Sequence, residues 1–180
     1  MSGPSVATSR LEPYLRAPAC PPRLDPGFRP AFLARRALEA SAQAAGAAGP
    51  VWVAVEQPGG SVLARRTIAF PDDHPDAPAS HHLVERLVKG LLWAHGGHRV
   101  WVDGPAGLVR AIQSRYRESD TGRFDASMMG STIYGQPFEV VAAPHAAFPA
   151  SRDAVVSLGG HLEGAGSDST SGRATARRPR

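Results

Sequence analysis

Between residues 81 and 104 the chain reads HHLVERLVKGLLWAHGGHRVWVDG and changes hydrophobic period partway along. Leu83, Val84, Leu87, Val88, Leu91 and Leu92 recur at helical spacing, with Glu85, Arg86 and Lys89 on the other side, as in an amphipathic helix with one buried stripe. Ser80 stands just before it as a candidate N-cap. The Gly96-Gly97 pair supplies the left-handed backbone that ends helices, and Val100, Trp101 and Val102 then read as a short strand. The remaining elements are expected to pack around this helix and strand.

Upstream, residues 51–56 (VWVAVE) and 61–70 (SVLARRTIAF) are β-rich runs separated by Gln57-Pro58-Gly59-Gly60, so a hairpin is expected, with Val51, Val53 and Val55 on one face. Residues 31–45 have high helix propensity and a weak apolar stripe. Downstream, Asp103-Gly104-Pro105 turns the chain into a predicted helix over 106–118, with Leu108, Val109 and Ile112 inward and Arg110, Arg115 and Arg117 outward. A short helical segment around 126–133 and a strand over 138–141 complete the pattern. Strand, helix, strand fits a crossover unit. The expected fold is α/β: a small mixed sheet of hairpin and crossover strands with packed helices and disordered termini. Trp52, Trp93 and Trp101 lie in apolar periodic runs, so they are expected in the core or on a sheet face.

Composition sets the organisation. With 180 residues and 42% hydrophobic content there is material for one cored domain. Prolines recur from Pro4 to Pro30, which makes residues 1–30 an extended or disordered arm. Residues 31–48 follow as an N-terminal helix, 49–145 as the α/β domain, 146–163 as a linker and 164–180 as a disordered basic tail. No run approaches the roughly 18 apolar residues of a membrane span, and the first thirty residues hold no signal-like apolar core. A cytoplasmic protein is expected. Cys20 is the single cysteine, which rules out an internal disulfide and a Cys-rich zinc site.

The net charge of +4 invites a nucleic-acid reading, but the tail alone carries Arg173, Arg177, Arg178 and Arg180 against Asp168. The rest of the chain is close to neutral. Lys89 is the only lysine and asparagine is absent, a bias that a GC-rich gene explains. Neither nucleic acid nor membrane is expected as a partner.

Candidate chemistry is sparse. Asp72, Asp73, His74, Asp76, His81 and His82 crowd together and offer oxygen and imidazole ligands, yet their spacing matches no metal motif. Acidic residues ahead of a helix are accounted for by its dipole, so no metal is expected. Three residues are candidates for ligand binding. Glu56 ends the first strand just before a glycine turn, a place where phosphate-binding folds often carry an acidic residue. Arg123 and Asp125 flank Phe124 in a loop before a predicted helix, either as a cation and carboxylate for a ligand or as a structural pair or cap. No P-loop, dinucleotide-binding fingerprint or nucleophile elbow occurs, so no catalytic residue is assigned.

Two blocks, VERLVKGLLWAHGGHRVWVDGP continued by GRFDASMMGSTIYGQPFEVV, and the later SLGGHLEG, resemble the N-terminal region of bacterial ROK-type proteins, the sugar-kinase and repressor family of the actin-like ATPase superfamily. The resemblance spans about residues 51–164. It is carried by Leu91-Leu92-Trp93 with Gly96-Gly97, and by Arg123-Phe124-Asp125 with Met129-Gly130, Tyr134 and Phe138. It implies a non-catalytic module placed before an ATP- and magnesium-dependent sugar kinase domain, with no cofactor in this chain. The partners it implies are that kinase domain, a second copy of the chain, or a small sugar. In the family a strand with an acidic-glycine motif follows this point, whereas here the arginine-rich tail follows. Back-translated in the frame starting at the third base of each codon, residues 166–172 are compatible with Arg-Ile-Gly-Phe-Asp-Leu-Gly, so the tail reads as a frameshift product. The alternative is a stand-alone ligand-binding or interaction module built as a partial actin-like, RNase H-like half.

Overall fold

Alternation in the valine-rich strands decides which way the sheet faces. The computed structural model describes residues 11–151. Four strands, β1 (Gly49–Glu56), β2 (Val62–Ala69), β3 (Arg99–Asp103) and β4 (Glu139–Ala142), form one sheet in the order β2-β1-β3-β4. β1 runs antiparallel to both β2 and β3, and β4 is parallel to β3. The expected mixed α/β fold is therefore present. Val51, Val53, Val55, Val100 and Val102 point to one face and are sealed there, because all four helices contribute to the layer over that face or to its flank.

The helices are α1 (Ala31–Ala44), α2 (Ala77–His95), α3 (Ala106–Glu118) and α4 (Asp120–Ser127). Val84, Val88, Leu91 and Leu92 of α2 meet Leu108, Val109 and Ile112 of α3 over the valines, as the apolar stripes require. α2 starts at Ala77, earlier than the expected cap at Ser80, with Pro78 in its first turn where a missing N–H costs nothing. Ser80 is buried, and its Oγ accepts the backbone N–H of Phe70 at 3.0 Å. A buried hydroxyl needs a partner, and here that partner ties the end of the hairpin to the helix. At the other end α2 stops at Gly96 with φ of 74°, where a Cβ would overlap the Tyr134 hydroxyl.

The acidic loop before α2 caps a different helix. No side chain of the adjoining residue caps α3; instead Asp72 Oδ2 accepts the Gly107 N–H at 2.6 Å. Its Oδ1 lies 3.3 Å from His81 Nε2. The helical segment expected around 126–133 is displaced toward the N-terminus. α4 begins at Asp120, capped by Ser119 Oγ on the Gly122 N–H at 3.0 Å, and runs into a π turn at Met128–Thr132.

Two stretches expected to be loose are packed. A short turn at Glu12–Tyr14 buries Leu11 and Tyr14 with Leu38, Phe70 and Leu83 in a second apolar cluster, and Tyr14 donates to Asp76 at 2.8 Å. Proline excluded regular structure there but did not prevent two apolar side chains from anchoring the arm. After β4 the chain crosses the sheet's other face. The His145 ring stacks on Trp52 at 3.8 Å, Phe148 approaches Trp101, and Ser151 Oγ donates to the Val62 carbonyl at 3.1 Å. Residues 1–10 of the arm, the SLGGHLEG block and the basic tail at 164–180 lie outside the described residues.

Candidate functional site

Asp125 is the most deeply buried charged side chain of the described residues, 1% exposed. A carboxylate so far from water requires compensation, and α2 supplies it. Lys89 Nζ donates to Oδ2 at 2.7 Å and Trp93 Nε1 donates to Oδ1 at 3.2 Å. Lys89 and Trp93 are four residues apart on one face of α2, so both reach the same point on α4. Trp93 is 49% exposed; contrary to expectation it lies over the surface rather than in the core, with its N–H turned inward to the carboxylate.

Arg123 and Asp125 do not form a pair. Both are in α4 rather than in a loop before a helix, and positions two apart on a helix face different directions. Arg123 points to solvent and donates to the Glu118 carbonyl at 2.6 Å and to Asp120 at 2.5 Å. This ties down the turn between α3 and α4.

Glu56 lies in a third place, on the face of the sheet away from the helices. It accepts Trp101 Nε1 at 2.8 Å and Arg99 Nη1 at 3.4 Å, and Arg99 also bonds Glu139 at 2.9 Å. The Arg99 guanidinium has its pKa raised first by the hydrogen bond to Glu139. Register explains the cluster, because Glu56 opposes Arg99 and Arg99 opposes Glu139 across the ladder. In the following turn the Gly60 N–H donates to the Gln57 carbonyl and the Gln57 N–H to the Ser61 carbonyl. Glu56 itself is engaged by Trp101 and Arg99.

The acidic and histidine-rich loop is also absorbed into structure. Asp72 serves α3, Asp76 accepts from Tyr14, and the His74 ring stacks on Phe70 at 3.9 Å. Among the described residues no group of three or more His, Cys, Asp or Glu side chains is placed to hold a metal ion. None of their helices is long and apolar enough to cross a membrane.

Residues 84–105 and 122–141 meet in the fold. Trp93 from the first block holds Asp125 from the second, Gly96 makes room for Tyr134, and Gly130 lies so close to the next segment that a Cβ would come within 2.9 Å of the Gln136 carbonyl oxygen. Phe138 packs on Tyr116 at 5.1 Å. Lys89 and Glu85, read from the sequence only as polar-face residues, were the ones missed. The legible signal was that Lys89 is the one lysine in an arginine-rich chain. Compared with family models, with curated proteins and with solved structures, the chain matches none.

Proposed function

We propose that this α/β domain is the non-catalytic module that precedes the kinase domain of a ROK-like, ATP-dependent sugar kinase or regulator, acting in the cytoplasm. One observation carries the reading: the residues of its two most specific blocks hold each other, through Trp93 and Lys89 on Asp125 and through Gly96 against Tyr134. Residues that hold each other in this way specify a scaffold, which suits a module without chemistry of its own. ATP and magnesium belong to the domain that would follow. Glu56, Arg123 and Asp125 act in the scaffold, each held by the partners described above.

The proposal is tested at the locus and in the tube. Sequencing should find an open frame that continues past codon 164 through Ile-Gly-Phe-Asp-Leu-Gly-like codons, and a closed frame refutes the link to a kinase domain. Purified protein given glucose and magnesium-ATP should turn over no ATP above a heat-treated control. Sugar-dependent turnover by these 180 residues would overturn the non-catalytic assignment.

A further inference from the structure

The helical layer contains a second charged group that none of the assignments above uses. Between α2 and α3 is a cleft of about 410 Å3, lined by His81, His82, Glu85 and Arg86 from α2 and by Ile112 and Arg115 from α3. Small-molecule sites typically begin at about 300 Å3, so the cleft can take a compact metabolite.

Its charged groups are held in a fixed arrangement. Glu85 has a nearly buried side chain that accepts Arg86 Nε at 2.6 Å and Nη2 at 2.7 Å, with Arg115 Nε at 3.5 Å. Arg115 Nη2 also donates to Thr121 Oγ1 at 3.1 Å. One carboxylate thus secures two guanidiniums beside each other. Desolvating such a group roughly cancels its Coulombic gain, so stability alone is a weak reason for it. Its clear effect is positional.

The bonds recorded among the described residues use Nε and Nη2 of both arginines, and Nη1 of each has no partner there. Two guanidiniums and one carboxylate line the cleft, while Asp72 bonds the cleft's His81, and Asp125, paired with Lys89, also acts on Arg86. His82 is half-buried against Glu85 and the two guanidiniums. Burial first pushes its pKa down, Glu85 opposes, and Arg86 and Arg115 push it down further.

We propose that the cleft between α2 and α3 is a binding site for a small organic anion, whose phosphate or carboxylate group is received by Nη1 of Arg86 and Arg115 beside His82. Arginine suits this because its planar fork can hold one carboxylate with two N–H groups and offer the rest to a ligand. Side chains already fixed by Glu85 lose little further freedom on binding. The site stands apart from the contacts that carry the ROK-like reading, since Lys89, Trp93, Gly96, Asp125 and Tyr134 do not line the cleft.

The test is an NMR titration of the full chain, following the arginine side-chain N–H signals and the His82 ring. Sodium phosphate and sodium malonate are added separately, with sodium chloride at matched ionic strength as control. Saturable shifts at Arg86 and Arg115 are expected from at least one of the two anions and not from chloride, and the stronger one identifies the ligand as phosphate-like or carboxylate-like. Arg115→Gln should weaken that binding about tenfold, the loss of one charge-assisted hydrogen bond, while Glu85 keeps Arg86 and the circular dichroism is unchanged. His82→Gln, a change at the wall of the cleft, serves as the second variant and should weaken binding by a smaller factor. The proposal is overturned if neither anion gives saturable shifts, if chloride gives the same ones, or if both variants bind as tightly as the parent.

Discussion

Asp125 and Glu56 have the same kinds of partner in opposite settings. Each carboxylate accepts an indole N–H and the N–H of a cation: Trp93 and Lys89 for Asp125, Trp101 and Arg99 for Glu56. Asp125 lies between helices with a side chain 2% exposed, whereas the Glu56 side chain is 19% exposed on the sheet's outer face. In the first setting the partners are indispensable, because an uncompensated carboxylate there is far from water. In the second, water can replace either partner. Similar contact geometry therefore carries different energetic weight, and burial rather than the number of bonds decides it.

Five substitutions would break or sharpen that contrast. The largest effect is expected for Asp125→Ala, about 3 kcal/mol of stability, because it strands Lys89 and the Trp93 N–H and empties a close-packed site; urea unfolding reads this directly. A loss below 1 kcal/mol would mean that the helical layer is no more demanding than the sheet face. Trp93→Phe removes one hydrogen bond to a buried charge and should cost about 1.5 kcal/mol by the same assay. Trp101→Phe, its counterpart on Glu56, should cost clearly less.

Asp72 is an intermediate case, a part-exposed carboxylate bound to backbone. The Gly107 N–H chiefly holds its pKa below the usual carboxylate range, burial opposes this, and His81 reinforces it. Its ionised form is therefore favoured by folding. The resulting stability is whole above the unfolded value of about 3.9 and is lost as pH falls through the lower folded value. Urea midpoints of the parent and Asp72→Asn should differ at pH 6 and converge toward pH 2; a gap independent of pH would count against the capping role. His82 acts higher on the scale. Its pKa is lowered chiefly by burial, so its contribution is present above about pH 6.5 and declines as pH falls through the depressed value. The smallest effect is expected for Glu56→Gln, within about 0.5 kcal/mol, since the amide oxygen can still accept the Trp101 N–H.

Much of the architecture was legible without coordinates. The helix over 106–118 agrees at both ends, and the hairpin, the long helix and the strand after Gly96-Gly97 agree within a few residues. These follow from periods of 3.6 and 2 together with glycine, which act over a few residues. The ligand-binding candidates were less legible. Arg123 and Asp125 are neighbours in the chain but face apart once α4 starts at Asp120, and Glu56 is on the far side of the sheet from the helical layer. Ser80 looked like a cap, but its place beside Phe70 gave it another partner.

Period and composition by themselves determined that the chain folds as α/β, that Val51, Val53 and Val55 share a buried face, and that α2 turns into β3. Only the tertiary structure decided that Asp125 is buried on Lys89 and Trp93, that Asp72 caps a helix 35 residues downstream, and that Glu85 gathers two arginines into a cleft. The division has a physical cause. Backbone preference and hydrophobic period are set by neighbours in the chain, whereas the fate of a charged side chain depends on which distant surface the sheet order and helix docking bring against it.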